Sequence, residues 1–399
     1  MKVEGEALLK NLLAELQSEL PSAVQLRHKI HANPHVGGQE TVTAALVADA
    51  LGAPNAPSVT EGRIVRIDSG CGPAVAIRAE LDGLPIVELT DVEWRSQNDA
   101  MHACGHDVHL AALIAVARTV RRVGGPAPLV AVLQPREESV PCGAKDMVES
   151  VPLAQQGIGA FIGVHVQPSL RQGTVACQSG PVNAASDEFK ITVRGRPGHG
   201  AYPHRTQDSV AAAAAIVVAL NQLTSRRIDP MHPSVITVGS IGGGSAPNAI
   251  AAEVILSGTI RSFDEADRSQ LWQLVRDAAE LTARVHGCAA EVAIGLGEPV
   301  LVNNRALAKA MGPLLTSEGI DPHGDHRSCG ADDFAYYCAP YPSLMCFVGV
   351  DSPVGIDLHH PQFLPPDQAV ADVAATMLAG YVAAAQIFAD PTEGSPHDD

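Results

Sequence analysis

Residues 129–134 read LVAVLQ, and residues 161–166 read FIGVHV. Both runs are apolar at almost every position, so neither shows the alternation of a strand with one face in water. Strands of this kind are typical of the centre of a parallel sheet whose two faces are covered by helices. Helical patterns separate these runs from the neighbouring strand-like segments. The two stretches therefore predict an α/β domain with a mixed, mostly parallel sheet covered by helices.

The pattern changes from about residue 184. Strand-like and helical segments then follow in the order β-α-β-β-α-β, and EFKITVRG (188–195) alternates as a strand with one buried face does. This order is the ferredoxin-like α+β arrangement, in which helices cover one face of the sheet. The α/β pattern returns after residue 297. We therefore predict a main domain made of residues 1–183 and 298–399, interrupted by an inserted domain at 184–297.

Composition and charge limit the partners of this chain. It has 399 residues, a formal net charge of −17 and an isoelectric point near 5.3. Nucleic acids and acidic membranes need a basic face, so neither is expected as a partner. No basic segment followed by an apolar run is found near residue 1, no apolar stretch is as long as a membrane span, and the eight cysteines are scattered. We expect a cytoplasmic protein with reduced thiols that acts on small molecules.

The stretch MHACGHDVH (101–109) contains a possible pair of metal ligands. Gly105 lies between Cys104 and His106 and permits a sharp turn that brings thiol and imidazole together. A helix is predicted from Asp107 to about Val120, and its N-terminus should favour a thiolate. Thiolate and imidazole suit Zn²⁺ and similar ions. A packed buried turn or a reactive cysteine that needs no metal would explain the same residues.

Two glutamates follow the buried strand LVAVLQ. Glu137 and Glu138 come directly after it, at the edge where parallel sheets place ligands. Adjacent side chains cannot easily aim at one point, so one could bind a metal while the other serves as a general base. An exposed acidic loop is the alternative.

Two histidines occupy comparable positions. His165 lies inside FIGVHV, and His359, the first of a His-His pair, follows the strand-like run SLMCFVGV (343–350). A core histidine bonded to the backbone would explain the first, and a chance pair on a surface loop would explain the second. All four signals nevertheless fall at predicted strand ends or helix starts of one domain, which favours a shared metal site.

Six ordered motifs are recognisable as those of a family: RAELDGLPI (78–86), MHACGHDVH, LQPREE (133–138), GVHV (163–166), RGRPGHGAYPH (194–204) and LHHP (358–361). They resemble the M20 metallopeptidase family, specifically its aminoacylase-like amidohydrolase branch of hippurate hydrolases, auxin-conjugate hydrolases and N-acyl amino acid deacylases. The resemblance implies a zinc-peptidase-like catalytic domain and a smaller domain that serves as lid and dimerisation module. One departure is Glu80, which stands where the family has aspartate.

The resemblance also implies a metal site and its catalytic groups. Two divalent ions (Zn, Mn, Co or Ni) would bind Cys104, His106, Glu138, His165 and His359. Glu137 would take a proton from the attacking water and return one to the leaving amine. Asp82 would orient the site from behind the ligands.

In the inserted domain, His199 resembles the histidine that helps to stabilise the oxyanion, often in a neighbouring subunit. Asn248 and Arg261 resemble the groups that bind the substrate carboxylate, and Arg261 could do so with two hydrogen bonds. An ordinary salt bridge at the strand edge is the alternative for Arg261.

The function implied is a metal-dependent amidohydrolase that cleaves N-acyl amino acids or similar small conjugates, acting as a homodimer. A dipeptidase or carboxypeptidase with the same machinery is the nearest alternative. A catalytically silent homologue that binds metal, or an enzyme that uses Cys104 as a nucleophile without metal, is the alternative from another class.

Overall fold

The computed structural model describes residues 2–68 and 70–389. The chain forms two compact units. Among the described residues, unit 1 takes in those up to Gly180, Val302–His326 and those from Asp333 to Ala389, and unit 2 is made of Pro181–Leu301 and Arg327–Asp332. The insertion predicted at 184–297 lies within unit 2, which also takes in the short return segment at 327–332.

Helices and strands alternate along most of the described chain. The helices are α1 (Lys2–His31), α2 (Thr41–Ala50), α3 (His106–Val123), α4 (Gly143–Val148), α5 (Val151–Ala154), α6 (Ser209–Leu220), α7 (Leu223–Arg227), α8 (Glu265–Val285), α9 (Arg305–Ser317), α10 (Ala335–Cys338) and α11 (Gln368–Ala389), with a 3₁₀ turn at Pro203–Arg205. The strands are β1 (Ser58–Val59), β2 (Gly62–Ile67), β3 (Ala74–Glu80), β4 (Leu129–Gln134), β5 (Ile158–Gln167), β6 (Val175–Ala176), β7 (Gly180–Asn183), β8 (Ala185–Arg194), β9 (Gly198–His199), β10 (Ser234–Gly243), β11 (Ala249–Ile250), β12 (Glu253–Ser262), β13 (Ala289–Leu296), β14 (Leu301–Asn303) and β15 (Ser343–Gly349).

The sheet of unit 1 has the strand order β1-β2-β4-β3-β5-β15-β6. Its four central strands, β4, β3, β5 and β15, run parallel, and β2 and β6 pair antiparallel at the two sides. Strands β4 and β15 are buried at every residue. Side chains on both faces of these strands must therefore be apolar, which explains runs such as LVAVLQ, and the predicted mixed, mostly parallel sheet is confirmed.

Four long helices contribute residues to the core of this unit. Helices α1, α3, α9 and α11 contact one another, and α3 and α11 also contact the central strands. Helix α11 is long and apolar enough to cross a membrane, but 72% of its most apolar window is buried inside the molecule. Burial of this kind is what a core helix requires, and it accounts for the composition of α11.

Unit 2 carries an antiparallel sheet in the order β10-β12-β8-β13, which the helices α6 and α8 contact. Strand β8 alternates between buried and more exposed residues, as a sheet with one covered face requires. Asp208 and Asp264 cap α6 and α8 by accepting backbone N–H bonds. The predicted ferredoxin-like order is confirmed.

The topology of unit 1 brings the carboxyl ends of its parallel strands to one edge of the sheet. Strands β3, β4, β5 and β15 end at Glu80, Gln134, Gln167 and Gly349. The loops that follow β3, β4 and β15 carry Asp82, the two glutamates and His359, and β5 carries His165 near its end. Parallel sheets bind ligands at this edge.

Candidate metal centre

A left-handed glycine places the first two predicted ligands. Gly105 has φ 83° and stands immediately before α3, which begins at His106. A Cβ atom added to Gly105 would lie 2.5 Å from Cγ2 of Val166. Backbone conformation and space therefore both require glycine here. The turn leaves Cys104 and His106 buried on either side of it.

Two other carboxylates hold the loop that carries the glutamates. Arg136 has a positive φ of 52°, and its N–H donates to Oε1 of Glu40 at 2.7 Å. The N–H of Glu138 donates to Oδ2 of Asp82 at 2.9 Å. Glu137 and Glu138 each expose only 12% of their side chains. A strained backbone held from both ends is typical of a functional loop.

The two histidines reach the same region from neighbouring strands of the sheet, His165 from β5 and His359 from the chain that follows β15. Nδ1–H of His165 donates to the carbonyl oxygen of Val166 at 2.7 Å, so that Nε2, 3.4 Å from Sγ of Cys104, is its free nitrogen. His359 is left-handed at φ 66°, and its N–H donates to the carbonyl oxygen of Ala103 at 2.8 Å. Its Nε2 lies 3.1 Å from Oε1 of Glu138. Backbone contacts therefore fix both side chains.

The structure brings the predicted metal ligands together. Ligand atoms of Cys104, Glu138 and His359 lie within 4.8 Å of one another, and so do those of His106, Glu137 and Glu138. Glu138 belongs to both groups, which is the arrangement that two neighbouring ions sharing a ligand would need. We call Cys104, His106, Glu138, His165 and His359 the ligand cluster; their roles in binding metal stay a prediction.

An unpartnered nitrogen shows that the cluster fits a metal ion. Nδ1–H of His106 donates to the carbonyl oxygen of Asp82 at 2.8 Å, which leaves Nε2 as the free nitrogen. That Nε2 is buried and has no hydrogen-bond partner. Leaving a buried polar atom unpaired is costly, whereas an imidazole nitrogen without a proton is a common metal ligand. Asp82 thus fixes His106 through its backbone and Glu138 through its side chain.

The electrostatics of the ligand cluster favour a cation. Burial, and then the negative charges of Glu138 and Glu137, raise the pKa of the Cys104 thiol well above its usual value. Burial alone would lower the pKa of His106, but Glu80 and Asp82 outweigh it and raise the pKa to about 10, so that a bound metal ion would take the place of the proton on Nε2. Burial and the neighbouring acids therefore favour the neutral thiol of Cys104, whereas a thiolate is expected from its position at the start of α3. A cation is needed to make Cys104 a thiolate, which speaks against a nucleophile without metal.

His165 differs from His106 in charge. Burial lowers the pKa of His165 to about 3. Its imidazole is therefore neutral at ordinary pH, as a metal ligand must be.

The predicted substrate groups lie in unit 2. His199 pairs with Ala249 between the short strands β9 and β11, and Asn248 stands immediately before that pair. Nδ1 of His199 accepts the N–H of Ala201 at 3.1 Å, so Nε2 carries the proton and can donate it to an oxyanion.

Arg261 lies in β12, and its Nη1 is buried without a hydrogen-bond partner. Within residues 2–68 and 70–389 it forms no ion pair, so the alternative of a strand-edge salt bridge finds no partner there.

A buried pair behind the ligand cluster was not foreseen from the sequence. Nδ1 of His109 lies 2.9 Å from Oε2 of Glu80, and both residues are almost fully buried. The sequence predicts no role for His109. Its spacing from His106, three residues on in the same helix, was the available signal, because such residues share a face.

Known proteins resemble this chain over most of its length. The model of the family described as peptidase family M20/M25/M40 matches residues 76–383. The N-acetyl-L-cysteine deacetylase of Bacillus subtilis (strain 168) is 33% identical over 368 residues, which cover 90% of this chain and 86% of that protein. Thermostable carboxypeptidase 2 of Saccharolobus solfataricus is 33% identical over 356 residues, which cover 86% and 88%. A solved structure from Bacillus subtilis, described as a dinuclear metal-binding peptidase from family M20, has a TM-score of 0.81 with 26% identity, and the match covers 92% of this chain and 98% of that one.

Proposed function

The chain belongs to peptidase family M20/M25/M40 and is a metal-dependent hydrolase of amide bonds, and from that premise we propose that its substrates are small N-acylated amino acids. The likeness to an N-acetyl-L-cysteine deacetylase over 90% of the chain supports this substrate class. Hydrolysis would release a carboxylic acid and a free amino acid.

The ligand cluster would hold two divalent ions, with Glu138 available to both. Zn²⁺, Mn²⁺, Co²⁺ and Ni²⁺ are all compatible with one thiolate, three imidazoles and a carboxylate. Bound there, the ions would polarise the amide carbonyl and bring the pKa of the attacking water towards neutrality. The likeness to a dinuclear metal-binding peptidase supports the number of ions.

Glu137 is the residue that moves protons in this proposal. Its Oε2 lies 3.8 Å from Nε2 of His106, and its neighbour Glu138 belongs both to the group with Cys104 and His359 and to the group with His106. One carboxylate can therefore hold metal while the next takes a proton from water and returns it to the leaving amine. Asp82 accepts the N–H of Glu138 and so fixes the loop, which holds the two glutamates in the positions that these different roles require.

The substrate groups of unit 2 complete the proposal. Nε2–H of His199 is available to stabilise the oxyanion of the tetrahedral intermediate. Asn248 and Arg261 would bind the carboxylate of the amino acid. Support for Arg261 comes from its Nη1, a buried donor without a hydrogen-bond partner in a half-buried side chain, because leaving such a donor unpaired is costly.

The observation that carries the proposal is the convergence of Cys104, His106, Glu137, Glu138 and His359 in one small region. A panel of substrates tests it. Metal-free protein should be given Zn²⁺, Mn²⁺, Co²⁺ or Ni²⁺ in turn and assayed on N-acetyl amino acids, on their amides without a free carboxylate and on dipeptides. We expect the highest kcat/KM on N-acetyl amino acids and a large loss with the amides. Equal rates on the amides would contradict the proposal that Asn248 and Arg261 bind the carboxylate of the substrate.

A peptidase is the second candidate. The likeness to thermostable carboxypeptidase 2, at 33% identity, favours it specifically. The same chemistry would then act on a peptide bond in place of an acyl amide. In the panel above, a higher kcat/KM on dipeptides than on N-acetyl amino acids would select this function over the first.

A homodimer through unit 2 is also part of the proposal. Strand β10 is an edge strand of the four-stranded sheet, and it exposes Val235 by 41% and Ile241 by 54%. An edge with unpaired backbone groups and apolar side chains is suited to pairing with a second copy. Sedimentation should give a dimer, and replacing Ile241 by lysine should shift the equilibrium towards monomer.

A further inference from the structure

The end of strand β5 lacks a strand partner on one side. Pairing between β3 and β5 runs as far as Arg78 opposite Gly163, whereas β15 stays paired with β5 up to Gln167. His165 and Val166 therefore lie beyond the last paired residue on the β3 side. A backbone N–H buried at such a place needs another acceptor.

His109 supplies that acceptor. The N–H of Val166 donates to Nε2 of His109 at 3.1 Å. Because Nε2 accepts, the proton of the neutral ring is on Nδ1, which donates to Oε2 of Glu80 at 2.9 Å. Both nitrogens of His109 are thereby engaged, so this residue is not a ligand in this arrangement. It is a link between a carboxylate and the backbone of β5.

Glu80 is itself fixed by a buried network. Its other oxygen pairs with Arg78, and Arg78 also donates to Oε1 of Gln134 at 2.9 Å and to Oδ1 of Asp333 at 2.7 Å. Nε2 of Gln134 donates to Asp333 at 2.8 Å. All four side chains are at most 1% exposed. A network closed in this way leaves Glu80 little freedom to turn away from His109.

The residue whose backbone N–H bonds to His109 also orients His165. Nδ1–H of His165 donates to the carbonyl oxygen of the same residue, Val166, whose N–H goes to His109. The rings of His109 and His165 also pack edge to face, with centroids 4.7 Å apart. Moving His109 would therefore move the acceptor that directs Nε2 of His165 towards Cys104.

We propose that His109, held by Glu80, is a positioning residue that sets the direction of the ligand His165 and thereby the affinity for one of the two ions. The inference rests on the ligand role proposed above for His165. Groups that orient a ligand in this way commonly change metal affinity by about 10- to 100-fold when removed. The role does not require His109 to touch metal or substrate.

Metal-binding titrations with Co²⁺ on metal-free protein test the inference apart from activity. His109→Phe keeps a ring of similar size but removes both hydrogen bonds. It should weaken one of the two binding steps by at least about 10-fold and shift the ligand-field absorption bands of the bound Co²⁺. His109→Gln, whose amide can still accept the N–H of Val166, should recover much of that affinity.

Leu113→Ala is the matched control, because Leu113 is fully buried in the same helix one turn further on. It lowers stability without removing a hydrogen bond from β5, and should leave both binding steps within about twofold of the wild type. The inference is overturned if His109→Phe binds both ions as tightly as the wild type, or if Leu113→Ala weakens binding equally. Wild-type protein that binds no Co²⁺ would instead contradict the proposed function, and the inference with it.

Discussion

Two neighbouring residues at the start of α3 face two different groups of buried charges. His106 belongs to the ligand cluster, and Asp107 belongs to a second group that we call the ion cluster, made of Arg27, His31, Glu88 and Asp107. Oδ2 of Asp107 accepts from Nε of Arg27 at 2.9 Å and from Nδ1 of His31 at 3.0 Å. Both clusters are rich in titratable groups, but only the ion cluster supplies its own permanent cation.

The difference shows how a structural charge can be told from a functional one. In the ion cluster, an arginine and a histidine whose pKa is raised to about 9 balance two acids. In the ligand cluster, burial and the neighbouring acids raise the pKa of the Cys104 thiol, Glu80 and Asp82 raise that of His106, and none of the five residues is an arginine or lysine. Buried charges that neutralise one another need no further partner, whereas a buried site whose charges are not neutralised is a candidate for binding a ligand.

Changing Glu137 should separate function from stability most strongly. Glu137→Gln removes the proton acceptor while keeping the shape of the side chain, so kcat should fall by about 100- to 10,000-fold. Metal content and the free energy of unfolding should change little. Glu149→Gln, an exposed glutamate at the end of α4, is the control and should retain full turnover. Near-wild-type kcat in Glu137→Gln would reject the role of proton carrier.

Changing Arg27 should lower stability and leave the binding of metal unchanged. Arg27 is fully buried and bonds Asp107, Asp367 and the carbonyl oxygen of Pro365. Arg27→Met leaves Asp107 short of a cation, so the free energy of unfolding should fall by about 3 kcal/mol in urea denaturation. The number of bound ions should not change.

Arg122→Met is the control for this variant. Its side chain is 56% exposed although it pairs with Glu15 and Glu19, so the cost should stay below about 1 kcal/mol. If Arg27→Met lost bound metal and kept its stability, the two clusters would not be separate in role.

The ion cluster should also make stability depend on pH. Burial alone would lower the pKa of His31, but Asp107 and Glu88 outweigh it and raise the pKa from 6.5 to about 9. The stabilisation by protonated His31 is therefore complete below pH 6.5 and is lost as pH rises through 9. The loss should amount to at most about 3 kcal/mol. Urea denaturation across this range should show a smaller decline for His31→Gln; identical slopes for the two proteins would contradict the assignment.

The local parts of the fold were predictable from the sequence. LVAVLQ is strand β4 with the predicted bounds, and the helix predicted from Asp107 to Val120 is α3, His106–Val123. These elements are specified by runs of apolar residues and by a glycine next to the helix start. The order of elements then predicted the parallel sheet and the ferredoxin-like insertion.

Contacts between distant segments were not predictable in this way. Arg27 and Asp107 are 80 residues apart, and Arg78 and Asp333 are 255 apart, so no periodicity indicates that they meet. The prediction that Cys104 favours a thiolate is wrong for a similar reason. A helix terminus is visible in the sequence, whereas full burial beside two acids depends on the folded chain.

We predict that the ligand cluster binds metal and that hydrolysis depends on this metal. The most direct measurement is the metal content of purified protein together with turnover of an N-acetyl amino acid, before chelation, after chelation and after metal is added back, for the wild type and for Cys104→Ala. We predict two ions per wild-type chain, no turnover once they are removed, recovery on addition, and fewer ions in Cys104→Ala. Turnover that survives complete removal of metal would contradict the account.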